Sequence, residues 1–381
     1  MSEYQYYEFQ AIDRPLTPEE QRAVAQLSSR VEPHPRRAVF TYSFGGGLSR
    51  RAEDLLADYY DAMLYLANWG SRQLMFRFPK SLVDLQQMQP YAIEFWSEFV
   101  SAISVHIEGD HAILDIKLHE EEGLGWIEGE GWLGSLIELR DAILRRDYRV
   151  LYLAWLKGIT LEYRENDDTF EPLVPPGLQM RTPALERFVE LFDIDEDLIR
   201  VAAERSGELG GEISDVDLRR AIGQLSLEER DAFLLRLAKG EPHLSLALNR
   251  RLGAFRGTSH SETGERRTVG ELFAAVEALR ERQRRERAAA AQARRIAELK
   301  ALAGREDKAW REVDALIQQS QAKAYDEAVR LLKKLGDLAE QQGRRSAFDE
   351  RLGQIRERYS RRSALLRRLR EAGLIHQRGT G

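Results

Sequence analysis

Apolar positions follow two periods along this chain, and the switch between them sets its organisation. In the first part they alternate, the pattern of a strand. Residues 4–12 and 38–44 read as strands, and residues 72–78 place Leu74, Phe76 and Phe78 on one face with Met75 and Arg77 on the other. Residues 99–108 and 111–118 read as a hairpin about Glu108-Gly109-Asp110. Its second strand sets Ile113, Asp115 and Lys117 on a wet face and Leu114, Ile116 and Leu118 on a buried one. Helical stretches are interleaved. Thr17-Pro18-Glu19-Glu20 has a cap, a proline at the first helical position and the glutamate of a capping box. Leu55, Leu56, Tyr59, Met63 and Leu66 line one face of a helix predicted over residues 50–67, stopped by Asn68-Trp69-Gly70. Two more helices follow over 132–145 and 148–163, with Trp132, Leu136, Ile143, Leu151 and Trp155 as core positions. This order predicts an α+β domain over residues 1–170, a mixed or antiparallel sheet with helices on one side, closed by the proline-bearing loop 166–177.

From residue 182 onward the period is helical. Thr182-Pro183 and Asp195 each open a helix, and Ser226 with Glu229 forms a capping box for a third, so residues 178–256 read as a small all-α domain. Residues 256–267 carry Gly, Ser, Thr and His and read as a linker. Thr268 and Glu271 then cap a helix predicted over 269–303. Its heptad spacing (Leu272, Val276, Leu279) fades into Arg- and Ala-rich turns and returns at Ile296 and Leu299, which puts the middle in solvent. Gly304 ends it. Helices over 306–320, 323–342, 346–359 and 363–372 complete an extended, coiled-coil-like helical tail, 266–381.

Charge changes this picture most. Residues 246–381 hold 31 Lys and Arg against 19 Asp and Glu, a net of +12, leaving the rest of the chain at −18 within an overall −6. Such a split points to binding rather than to fold. The predicted helix concentrates the positive side: Arg280, Arg282, Arg284, Arg285, Arg287, Arg294 and Arg295 fall within 16 residues. Three readings compete: a solvated or self-docked helix, an arm for an acidic protein partner, and a phosphate-backbone surface for nucleic acid. The −18 body and the few aromatics in the tail weigh against the last. Cysteine is absent, which removes thiolate metal sites, thiol nucleophiles and disulfides. No stretch has the length and apolarity of a membrane span, and the first residues lack a signal-peptide pattern, so a cytoplasmic location is the expectation.

Other chemistry is thin. Gly45-Gly46-Gly47, ahead of Arg50 and Arg51, has the composition of a phosphate cradle but not the Lys-Ser/Thr of a P-loop, and a plain turn outweighs it. His106, Glu108, Asp110, His111 and His119 are of metal-ligand type, yet they lie about a hairpin turn where surface ligands are poorly preorganised, and ordinary hairpin polarity outweighs a metal site. Asp193, Asp195, Asp197 and Glu204 match a calcium loop except that Leu198 stands where glycine is needed; acids at a helix start explain them better. Glu120–Glu122, Glu128 and Glu130 read as a solvated acidic loop. No catalytic triad, kinase or nucleophile-elbow pattern is present, and no cofactor is implied.

Two stretches resemble known sequences. The run from Tyr4 through Arg14-Pro15-Leu16-Thr17, with Tyr65-Leu-Ala-Asn-Trp-Gly70, resembles an uncharacterised bacterial family over residues 1 to about 200. Residues 310–374, with Ala324-Tyr-Asp-Glu-Ala-Val-Arg-Leu-Leu332, Gly343-Arg344, Phe348, Arg351-Leu352 and Ala372-Gly-Leu374, resemble the C-terminal helical tail of some bacterial SWIM zinc-finger proteins. With no cysteine, that tail implies a shared docking element and not a zinc site. Tyr325-Asp-Glu-Ala is also similar to the start of a tetratricopeptide helix, without a second repeat. The reading is a non-enzymatic interaction or scaffold protein docking through its basic arm. The implied partner is an acidic protein, with a co-encoded SWIM zinc-finger protein as the named candidate. The alternatives are a nucleic-acid-associated protein and an enzyme with its site in the N-terminal domain.

Overall fold

The computed structural model describes residues 4–28, 31, 33–43, 47–93, 102–120, 128–162, 168–209, 215–241, 243–253 and 266–375. They form two compact units, Met1–Leu279 and Arg280–Gly381.

In the first unit, β1 (Tyr4–Gln10), β2 (Arg37–Ser43), β3 (Ala62–Ala67), β4 (Ser71–Pro79), β5 (Ala102–Glu108) and β6 (His111–His119) form one sheet. The order is β2-β1-β3-β4-β6-β5, and every pairing is antiparallel, so the sheet is not mixed. Short hairpins at β3–β4 and β5–β6 leave no room for a parallel crossover.

The helix expected over residues 50–67 is two elements. With α1 at Pro18–Ala25, the next helix is α2, Ala52–Tyr59, which stops where Tyr60 turns extended (φ −127°, ψ 166°). The rest is β3. It lies inside the sheet between β1 and β4, and Ala62, Met63, Leu64 and Leu66 are all buried. A strand covered on both faces loses its alternation, so its apolar run cannot be told from a buried helix by period. Asn68-Trp69-Gly70 is therefore a turn between strands. Gly70 has φ +97°, and a Cβ there would stand 1.9 Å from the Glu120 carbonyl oxygen, so the turn admits only glycine.

Helices cover both faces of the sheet, not one. α1 and α2 enclose a core with Phe9, Phe40, Met63, Met75 and Ile113. On the other face, the short α3 (Leu85–Met88), α4 (Trp132–Leu144), α5 (Arg149–Glu162), α6 (Pro183–Phe192) and α7 (Glu196–Ala203) share a larger core with Leu64, Leu74, Phe76, Leu114 and Ile116. This double cover corrects the expected wet face of β6: Ile113 and Asp115 are buried, and only Lys117 is exposed. α8 (Asp215–Gly223), α9 (Leu227–Ala238) and α10 (Leu244–Gly253) gather around a minor core of Ala221, Leu225 and Leu252.

Buried charge ties the sheet end to α4. Arg140 donates from Nη1 and Nη2 to the two carboxylate oxygens of Asp13 (2.9 and 2.8 Å) and from Nε to the Arg77 carbonyl (2.9 Å). Arg77 bonds Asp61 at 2.9 Å, and Asp61 Oδ2 accepts the amides of Ile12 and Asp13 (2.7 and 2.9 Å). Burial alone would raise the Asp61 pKa, but those amides and Arg77 outweigh it and hold the carboxyl below its usual range.

α11 (Val269–Ala303) begins in the first unit, where Val269, Leu272, Val276 and Leu279 belong to the larger core. In the second unit its last turns contribute Leu299 and Leu302 to a separate core with α12 (Glu306–Gln318), α13 (Ala322–Gln341), α14 (Arg345–Arg358) and α15 (Ser363–Glu371). Trp310 and Phe348 meet within it as a tilted ring pair, centroids 5.7 Å apart and planes at 44°. No helix among the described residues is long and apolar enough to cross a membrane.

Candidate functional site

The basic helix is built from a well-secured start. Thr268 Oγ1 accepts the Glu271 amide (3.2 Å), and a Glu271 carboxylate oxygen accepts the Thr268 amide (2.9 Å), the reciprocal bonds of a capping box. Just before it, Arg267 donates through two nitrogens to Glu171 (2.7 and 2.8 Å), and the Tyr152 hydroxyl donates to the same carboxylate. Burial opposes the Arg267 charge, yet Glu171 outweighs burial and holds the arginine pKa above its ordinary value. Loop 166–177, of which residues 166 and 167 lie outside the described residues, thus clamps the start of α11 with a buried ion pair. Replacing Thr268 with alanine is expected to lower unfolding free energy by about 1 kcal/mol, readable as a lower urea midpoint.

Beyond Leu279 the helix changes character. Arg284 to Arg295 are twelve consecutive exposed residues, so none of these turns packs into a core. Ala288 to Ala291 keep that stretch helical without packing, since alanine has the best intrinsic propensity. At 3.6 residues per turn, Arg280, Arg284, Arg287, Arg294 and Arg295 fall within about 100° of arc, a stripe about 22 Å long. Arg282 and Arg285 lie off it. Glu281 engages Arg285 and Arg284 (2.8 and 3.0 Å); these two guanidinium groups hold its carboxyl below the usual range. Arg295 reaches Asp337 on α13 at 3.0 Å, beside a recess of 580 Å³ lined by Ala291, Ile296, Leu299 and Glu340. Among the described residues, the side chains of Arg282, Arg287 and Arg294 form no hydrogen bond or ion pair.

The other sequence candidates are placed differently. Gly45 and Gly46 lie outside the described residues; Gly47 is exposed, Arg50 is bonded to Asp58 at 2.6 Å, and Arg51 is paired with Glu53. The arginines of the supposed cradle are thus neutralised locally. His106 and Glu108 on β5 share a face with His111 on β6, but among the described residues no three His, Asp or Glu side chains gather to hold an ion. Asp110 pairs with Lys80 at 2.9 Å, and His119 meets Ser71 at 2.9 Å. Asp195 caps α7 by accepting the Asp197 and Leu198 amides (2.8 and 3.2 Å), the role its position in sequence implied. Of the acidic loop, residues 121–127 lie outside the described residues; Glu120 is bonded to Lys157.

Sequence reasoning missed two features. One is Asp115, buried on β6 with both carboxylate oxygens 2.9 Å from Gln73 Nε2; desolvation raises its pKa to about 6. The other is the apolar surface of α9, legible in Phe233-Leu-Leu-Arg-Leu237, which has more apolar positions than one buried face requires. Comparison of the chain with family models, curated proteins and solved structures finds no match.

Proposed function

We propose that this chain is an interaction or scaffold protein that docks an acidic protein partner through the arginines of α11. The observation that supports the reading is the exposed stretch Arg284 to Arg295, in which the side chains of Arg287 and Arg294, with that of Arg282 just before them, have no partner among the described residues. A helix that served only as a spacer would need neither the arginine stripe nor so few compensating carboxylates. Resemblance of the tail to that of SWIM zinc-finger proteins makes such a protein, encoded beside this one, the partner to try first.

Exposed ion pairs are worth about 0.2–1 kcal/mol each. Replacing Arg282, Arg287 and Arg294 together by glutamate also adds repulsion, so binding should weaken by about tenfold to a hundredfold. The test captures partners from host lysate with the full chain and with this triple variant, each with and without nuclease. The reading expects a partner that survives nuclease and is lost with the variant. Retention of every partner by the variant overturns it. Loss on nuclease moves the basic stripe to nucleic acid, where affinity falls steeply with salt.

A further inference from the structure

The α8–α10 group exposes more apolar surface than it encloses. Its core holds three buried residues, whereas Leu227 (74% exposed), Leu234 (62%) and Leu237 (64%) stand in the open on α9, a helix that buries none of its residues. By helical spacing, Leu227, Leu234 and Ala238 form one line, with Leu235 and Leu237 on either side. A groove of 410 Å³ opens beside them, lined by Ile222, Phe233, Leu237, Leu244 and Leu248. Contiguous apolar surface of this kind marks an interface.

The charges beside that line indicate what covers it. Glu228 and Asp231 lie in the first half of α9, and Lys239 follows its last turn on the same flank. Among the described residues none of the three side chains forms a hydrogen bond or a close ion pair, although Arg236 holds the Glu241 carboxyl below its usual range and the Lys239 charge adds to that effect. Their neighbours do: Arg236 pairs with Glu241 at 2.6 Å and Glu229 with Arg251 at 2.8 Å. A flank that starts acidic and ends basic is complementary to the same flank of an identical helix running the opposite way.

We infer that α9 is a self-docking surface: two copies of the chain pack the apolar faces of their α9 helices antiparallel, about a two-fold axis near Leu234. In that arrangement Glu228 and Asp231 of each copy face Lys239 of the other, and the contact is isologous. The helix is 12 residues long, about 18 Å. Even with the groove it falls short of the ~800 Å² per partner typical of stable complexes, so dissociation is expected in the micromolar range.

Sedimentation velocity on the full chain from about 1 to about 200 µM tests this. The expected result is reversible dimerisation, weakened at least about a hundredfold by Leu234→Glu, which places two carboxylates at the axis. Leu234 is exposed, so the substitution leaves the fold intact, and an unchanged melting temperature at low concentration checks that. Lys239→Glu should weaken the dimer several-fold, and adding Glu228→Lys to it should restore affinity. A chain that stays monomeric throughout the range, because a different protein occupies the face, overturns the inference. So does a dimer indifferent to Leu234→Glu and Lys239→Glu, which would place the contact on another surface.

Discussion

Arg140→Ala is expected to lower the unfolding free energy of the first unit by about 3–5 kcal/mol, seen as a lower urea midpoint at unchanged slope. The size follows from what the side chain holds. Arg140 is fully buried on α4, and its three donor positions satisfy both oxygens of Asp13 and the carbonyl of Arg77. Its guanidinium also lies 5.5 Å from the centre of the Phe78 ring. Removing it leaves the Asp13 carboxylate without its bidentate partner and a cavity against Phe78, and the two losses together put the change in the range of large core truncations. Asp13 retains His243, whose Nε2 stands 3.1 Å away but outside hydrogen-bond geometry, so the histidine is a weak substitute. Arg140→Lys should recover little, because a single ammonium cannot reproduce the two-pronged contact. The decisive control is the cycle with Asp13→Asn. If the pair is the source of the effect, Asp13→Asn with Arg140→Met should cost clearly less than the two single changes added together. Strict additivity would assign the loss to packing alone.

This cluster also marks the limit of what pattern alone discloses. Local signals carried well: the capping boxes at Thr17, Ser226 and Thr268 all form, because their bonds span only three residues. The hairpin turn at Gly109-Asp110 and the tail helices were legible for the same reason. β3 was not, since its identity depends on β1 and β4 lying on either side, a relation separated by more than fifty residues at Glu8↔Leu64. Asp115 alternates correctly for a solvent-facing position, and only the packing of α1 and α2 on that side makes its face an inner one. Arg140 and Asp13 are 127 residues apart, and nothing in either local sequence announces the other. The basic stripe of α11 was visible as composition and helical phase. The state of each arginine required coordinates, because Asp337, which engages Arg295, lies on another helix.

Asp115→Asn is expected to stabilise the protein at pH 8 by roughly 2–4 kcal/mol and to change little at pH 4. Burial on β6 raises the Asp115 pKa from 3.8 to about 6, and Gln73 Nε2, donating to both oxygens at 2.9 Å, only partly offsets the desolvation. The sign follows from proton counts. Between about pH 4 and pH 6 the native state keeps a proton that the unfolded chain has released, so stability falls as pH rises through that window. Above it the full cost of a buried carboxylate is present; below it both states are protonated and the cost disappears. Asparagine is neutral, nearly isosteric and keeps an oxygen for Gln73 to donate to, so it removes the charge cost without opening a cavity. Glu20 and Asp61, both with lowered pKa values, favour the opposite trend in acid, so the net pH profile of the native sequence mixes the two. The readout is therefore the difference in urea-unfolding free energy between the native sequence and Asp115→Asn at pH 4, 6 and 8. A difference that grows with pH through the window supports a buried, proton-retaining carboxyl. A difference that is flat across all three would mean that Asp115 is ionised without cost, with water or a cation reaching it on the face that α1 and α2 cover.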